Sequence, residues 1–123
     1  ETRRVGAICA GVGPMAVNLA GRTTLRALAA VLKSSAACVA VDSGPMHIAS
    51  ALGVPVVGMF PIKGDNVARW RPYGVRSRVA GTGDWSCART CVKEQCPDYE
   101  CLRYVDTAGV LAAVADLVGQ SDS

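Results

Sequence analysis

The stretch from residue 36 to residue 53 restricts the possible folds of this chain more than any other. Residues 36–41 are apolar throughout, which is typical of a parallel β-strand that is covered on both faces. The sequence DSGP at 42–45 follows directly and is typical of a helix start, because proline suits the first helical turn and serine or glycine suits the cap. We therefore predict a strand over 36–41, a short helix over 46–52 and a second strand over 54–60.

Apolar periodicity predicts the other elements. We expect helices over 2–11, after a cap at Thr23 or Thr24, and after a cap at Thr107, with strands over 15–19 and 76–80. The inner faces of the last two helices consist of apolar residues at helical spacing, which are Leu25, Leu28, Ala29 and Leu32 in one and Val110, Leu111, Val114, Leu117 and Val118 in the other. Residues 61–75 and 81–103 lack periodicity and are expected to be loops. Strands that alternate with helices predict an α/β fold, a Rossmann-like parallel sheet of about four strands flanked by helices.

Composition and charge exclude several classes of protein. The chain has 123 residues, 50% of them hydrophobic, which fits a globular domain and not a disordered chain. Its 13 Lys and Arg residues are scattered and its net charge is +3, so no nucleic-acid partner is predicted. No apolar stretch approaches the roughly 20 residues of a transmembrane segment. Because the chain begins with Glu1 and shows no signal peptide, we expect a piece of a longer protein.

The turn between the strand and the helix is suited to an anionic ligand. Ligands of parallel sheets bind at the carboxyl ends of the strands, and a helix N-terminus offers free N–H groups to a phosphate. The Ser43 hydroxyl and the amides of Gly44, Met46 and His47 could donate to a diphosphate, while Asp42 could accept hydrogen bonds from the hydroxyls of a sugar. The imidazole of His47 could offset charge on a leaving phosphate. The alternative is an ordinary capped helix start, with Asp42 as a cap and His47 on the surface.

Two long segments carry a resemblance to a known family. Residues 42–57 (DSGPMHIASALGVPVV) and 18–25 (NLAGRTTL) resemble the signature segments of glycosyltransferase family 9, the family of the ADP-heptose:lipopolysaccharide heptosyltransferases. The similarity runs from about residue 15 to the closing helix and includes 72–74 (PYG). The sequence departs from the family at 61–65, where PIKGD replaces a Gly-Pro-Thr-Asp type loop.

The resemblance implies a fold and a site. Residues 1–123 would be the donor-binding, C-terminal half of a GT-B fold, and the enzyme would transfer a sugar from an ADP-heptose-like donor to a lipopolysaccharide-type acceptor with inversion and without a cofactor. Asp42 would touch the sugar, Ser43, Gly44 and His47 the diphosphate, and Arg22, Thr23 and Leu25 the region of the base. The acceptor site and the general base would lie in an N-terminal half that the sequence lacks, so the catalytic base is not identified and this piece alone is expected to be inactive. The resemblance also implies a cytoplasmic enzyme, which could sit peripherally at the inner face of the membrane.

Two other interpretations stay open. One is a nucleotide-sugar epimerase half, which shares the GT-B design. The other is a metal-stabilised interaction module built on Cys87, Cys91, Cys96 and Cys101, although their spacing lacks the C-x-x-C pair typical of structural zinc and free thiols are favoured over metal or disulfides. The loop at 61–75 also carries Lys63 and Arg69, which could reach a phosphate, whereas its aromatic residues Trp70 and Tyr73 are expected to pack over the sheet.

Overall fold

The computed structural model describes residues 2–61, 65–81 and 100–119, which are divided between two compact units, 1–31 and 32–123. The helices are α1 (Thr2–Val12), α2 (Leu25–Lys33), α3 (Gly44–Ala51), α4 (Asp65–Trp70) and α5 (Thr107–Gly119). The strands are β1 (Cys38–Val41), β2 (Val56–Phe60) and β3 (Ser77–Gly81), and a short 3-10 helix covers Glu100–Tyr104.

The first unit contains α1 and the start of α2. Helix α1 is confirmed within one residue of its predicted end, and Gly13, at φ 88°, donates its N–H to the Cys9 carbonyl there. The strand predicted over 15–19 is wrong. This segment begins in a turn, where Ala16 N–H donates to the Gly13 carbonyl, and the Met15 side chain is almost fully exposed. A short apolar run with a proline before it and a glycine after it is too weak a signal for a strand.

Helix α2 begins at one of the two predicted caps. The Thr24 hydroxyl oxygen accepts a hydrogen bond of 3.2 Å from the Ala27 N–H, which satisfies one of the amides that a helix start leaves open. Leu32 is buried as predicted, whereas Leu25 is exposed, so the inner face of α2 is shorter than expected. Lys33, at the end of the helix, donates through Nζ to the carbonyl of Leu52.

Within the second unit, three parallel strands form a sheet in the order β1-β2-β3. Cys38 of β1 lies opposite Val56 of β2, and Val56 lies opposite Ser77 of β3. Val56 and Val57 are fully buried, as a central parallel strand requires. Burial also raises the pKa of the Cys38 thiol, which marks it as a core residue. The predicted α/β class with a parallel sheet is confirmed, with three strands in the described part of the chain instead of about four.

Helix α5 covers one face of this sheet. Leu117 is fully buried in a cluster with Val57 and Ala80, and Val110 and Val114 pack against that cluster. These three helix residues are confirmed as inward-facing. Two other predicted members of the inner face, Leu111 and Val118, are exposed. Each directly follows an inward-facing residue and therefore lies about 100° further around the helix.

The other face of β2 is packed unusually tightly around Gly58. A methyl group at this position would lie 2.9 Å from Cε2 of Phe60, 3.2 Å from Sδ of Met46 and 3.3 Å from Cδ of Pro72. Met46 belongs to α3, and Pro72 lies two residues after α4, so α3 and the segment that follows α4 meet the strand at the same residue. Helix α4 lies inside 61–75, where we expected a loop, because a six-residue helix is too short to show periodicity.

Replacing Gly58 by Ala should lower the free energy of unfolding by about 1–3 kcal/mol, the usual cost of overpacking, because the buried Phe60 ring would have to move. Urea denaturation of both proteins measures the difference. The matched control is Gly11→Ala in α1, where the added methyl group meets nothing within 4 Å and should be neutral or slightly stabilising. Equal stability of the Gly58→Ala variant and the parent would contradict this packing.

Candidate functional site

The turn at 42–45 lies at the carboxyl edge of the parallel sheet, as the sequence predicts. Strand β1 ends at Val41, and α3 begins at Gly44, two residues earlier than expected. Ser43 is the N-cap residue, with an extended backbone (φ −160°, ψ 167°), and Pro45 occupies the first turn. Since the strands on either side of this connection are paired in parallel, the turn is held at the position where ligands of such sheets usually bind.

Asp42 and His47 form the polar centre of this turn. Nε2 of His47 lies 3.7 Å from Oδ1 of Asp42, which is close enough for an ion pair when the imidazole is protonated. The His47 side chain is 44% exposed, and that of Asp42 is 21% exposed. A carboxylate and an imidazole thus lie side by side and partly exposed. The carboxylate is the group that was predicted to meet sugar hydroxyls, and the imidazole is the group that was predicted to meet a phosphate.

Trp70 contacts the same imidazole from α4. The ring centroids of His47 and Trp70 are 6.1 Å apart, and the ring planes meet at 64°, an edge-to-face arrangement. The expectation that Trp70 and Tyr73 pack over the sheet is wrong, because Trp70 is 52% exposed and Tyr73 is 90% exposed. Sequence reasoning missed this neighbour of His47, since it did not predict the helix that carries it.

The hydrogen bonds of the turn differ from the expected set. The Ser43 hydroxyl donates to the Val41 carbonyl at 2.9 Å and makes no capping bond to α3. The N–H groups of Met46 and His47 both point to the Ser43 carbonyl, at 3.1 and 3.4 Å. The Met46 side chain is fully buried. These two amides could donate to a ligand only if their bonds to the Ser43 carbonyl opened. The N–H of Gly44 is the better-placed donor, because the first N–H groups of an α-helix have no carbonyl partner within the helix.

The three residues predicted near the base all belong to the first compact unit, residues 1–31, and Leu25 is the first residue of α2. Arg22 and Leu25 are exposed, and Thr23 is half-buried. The backbone turns here, with Gly21 at φ 71° and the Arg22 N–H donating to the Leu19 carbonyl. The roles of Arg22, Thr23 and Leu25 stay predictions, as do those of the turn at 42–47.

A cleft of about 320 Å³ opens at the carboxyl ends of β2 and β3. It is lined by Phe60 and Gly81, by Val67 of α4, and by Asp106 and Gly109 around the start of α5. Its walls are mostly apolar, and among the lining residues that the structure describes Asp106 contributes the one acidic side chain. Helix α4 thus lines the cleft through Val67 and reaches His47 through Trp70, one turn further along.

Metal ligation and membrane insertion find no support in the described residues. Residues 2–61, 65–81 and 100–119 contain no group of three or more His, Cys, Asp or Glu side chains arranged to hold a metal ion. Cys87, Cys91 and Cys96 lie outside the described residues, and Cys101 is half-buried in the 3-10 helix, so the cysteine alternative stays a prediction. Lys63 also lies outside them. No helix in the part of the chain that the structure describes is long and apolar enough to span a bilayer.

The different hydrogen bonds of two cap residues predict different costs of removing their hydroxyls. Thr24→Ala should lower the free energy of unfolding by about 1 kcal/mol, because the Thr24 hydroxyl caps α2. Ser43→Ala should cost clearly less, because the Ser43 hydroxyl does not cap α3 and its bond to Val41 is exposed. Urea denaturation of the two variants makes the comparison. A larger loss for Ser43→Ala than for Thr24→Ala would contradict the hydrogen bonds described above.

Comparison with known proteins gives consistent matches. Over 96 residues the chain is 40% identical to lipopolysaccharide heptosyltransferase 1 of Pseudomonas aeruginosa, a match that covers 78% of the chain and 25% of that protein. Over 109 residues it is 31% identical to lipopolysaccharide heptosyltransferase 3 of Escherichia coli, which covers 88% of the chain and 31% of that protein. A shorter match, 39% over 56 residues, is with lipopolysaccharide core heptosyltransferase OpsX of Haemophilus influenzae and covers 46% of the chain and 16% of that protein. No solved structure matches the chain significantly.

These matches place the chain within a family while covering only part of the relatives. The chain spans between about a sixth and a third of the length of these relatives. The model of glycosyltransferase family 9 (heptosyltransferase) matches residues 1–101, which extends the predicted similarity to the start of the chain and ends before α5. The chain therefore belongs to glycosyltransferase family 9, the heptosyltransferase family.

Proposed function

We propose that this chain is the donor-binding part of an inverting glycosyltransferase that moves a heptose from an ADP-heptose-like donor to a lipopolysaccharide-type acceptor. The observation that carries the proposal is the half-exposed pair of Asp42 and His47 at the carboxyl edge of the sheet. Membership of family 9 and the similarity to three lipopolysaccharide heptosyltransferases support the type of reaction. In this proposal residues 1–123 form the C-terminal part of a GT-B enzyme.

At the anomeric carbon of the donor sugar, the proposed reaction forms one bond and breaks one. A hydroxyl oxygen of the acceptor attacks the anomeric carbon of the donor sugar, and the bond from that carbon to the diphosphate oxygen breaks with inversion at the carbon. The hydroxyl proton goes to a general base in the acceptor-binding part, and the nucleoside diphosphate leaves with the electron pair. The task of the chain described here is to hold the donor and to stabilise the charge on the departing diphosphate.

In this proposal residues 42–47 contact the diphosphate and the sugar of the donor. A protonated or N–H-donating His47 imidazole, together with the Gly44 amide, would face the diphosphate, where negative charge increases as the bond breaks. Asp42 carries negative charge and would be repelled by a phosphate, so it is placed against the sugar, whose hydroxyls can donate to it. Ser43 would release the Val41 carbonyl and donate to the diphosphate instead. Arg22, Thr23 and Leu25 would contact the base.

Titration of the chain with ADP, an ADP-sugar and a UDP-sugar tests this proposal. Ser43→Ala should weaken binding of every diphosphate ligand by about 1 kcal/mol, or about fivefold, for one lost hydrogen bond. Asp42→Ala should reduce the preference for the ADP-sugar over bare ADP, because the sugar is the part of the donor that the proposal assigns to Asp42. Isothermal titration calorimetry measures both effects.

The matched control for the serine is Ser50→Ala, which removes a hydroxyl from the same helix, where it donates to the Met46 carbonyl, and should leave the affinities unchanged. Equal affinities for ADP and the ADP-sugar in both the parent and the Asp42→Ala variant would remove the role assigned to Asp42. A chain that binds none of the three ligands would contradict the proposed function itself.

A further inference from the structure

The imidazole of His47 is held by contacts from two separate elements. Asp42 approaches it from the turn before α3, and Trp70 approaches it from the end of α4. The separation of 3.7 Å between Nε2 and Oδ1 is longer than the 2.7–3.2 Å, approximately, of an ordinary hydrogen bond, so the carboxylate alone fixes the ring only loosely. A half-exposed side chain with one loose contact would sample several rotamers. The second contact, with the indole ring, is therefore the one that can select an orientation.

The segments that carry His47 and Trp70 are both packed against the same residue of the central strand. Met46 directly precedes His47, and Pro72 follows Trp70 by two residues. Both Met46 and Pro72 are buried and pack against Gly58 of β2, with their nearest atoms 3.2 and 3.3 Å from the position of a Cβ there. The contact between the two rings thus rests on a tightly packed part of the core, although both rings are themselves half-exposed.

We propose that Trp70 is a positioning residue for the diphosphate site: its ring holds the His47 imidazole in the orientation that meets the ligand, and Trp70 acts through His47 without binding the ligand itself. The inference rests on the proposed function, since it assumes that His47 faces a diphosphate. Edge-to-face aromatic contacts are directional, so the indole favours one imidazole rotamer over the others. If that rotamer is already fixed before binding, less side-chain entropy is lost when the ligand binds, and the affinity is higher.

A double-mutant cycle on ADP affinity tests this role. Trp70→Leu should weaken ADP binding about three- to tenfold, the range expected for one aromatic pair, and should have no effect when His47 is already replaced by Ala. Adenosine, which has no phosphate, should bind equally to all four proteins. Trp70→Phe should restore most of the affinity, because a phenyl ring can make the same type of contact. The control is Tyr73→Leu, which removes a 90% exposed ring from the same segment and should change nothing.

Nuclear magnetic resonance adds a measurement that needs no ligand. His47 is the one histidine of the chain, so its imidazole C–H signals are unambiguous. They should shift when Trp70→Leu removes the ring current of the indole and stay in place in Tyr73→Leu. Unchanged signals in Trp70→Leu, or an equal loss of ADP affinity with and without His47, would overturn the positioning role while leaving the proposed function intact. Absence of ADP binding by the unsubstituted chain would contradict both.

Discussion

The close packing at Gly58 is the constraint on which the geometry of the turn depends. The central strand can accept Met46 of α3 and Pro72 after α4 at one point only because that point has no side chain. This arrangement brings the first turn of α3 next to the end of α4, and with it an imidazole next to an indole. An apolar contact at Gly58 thus brings together the two segments that carry His47 and Trp70.

Patterns of local sequence predict the framework well and its exposed connections poorly. The segment from Cys38 to Phe60 follows its predicted strand–helix–strand order because proline, glycine and continuous apolar runs act over a few residues. Helix α4 and the exposure of Leu111 could not be predicted in the same way. The first is too short for periodicity, and the second depends on which side of α5 packs against the sheet, which is a property of tertiary structure.

The candidate site shows the same division. Its location at the carboxyl end of β1 and the involvement of Asp42 and His47 follow from residue types and their order along the chain. The contact of His47 with Trp70 and the hydrogen bond of the Ser43 hydroxyl could not be predicted from the sequence, because both depend on side-chain orientation. The comparison with known proteins gives the family and the names of relatives, and it does not show these contacts. Sequence therefore predicts where the candidate site lies, and the three-dimensional structure is needed to describe the contacts of its individual groups.

Pro45 gives this turn a character different from that of phosphate loops built from successive backbone amides. Proline has no N–H, and the amides of Met46 and His47 are already used by the Ser43 carbonyl, so the backbone offers an anion little beyond Gly44. Backbone amides are retained when a side chain is replaced, unless the new residue is proline, whereas a binding group on a side chain is lost with that side chain. In the proposed donor site, ligand preference would therefore depend on a few side chains, so that single substitutions there would change the preferred ligand while leaving the fold in place.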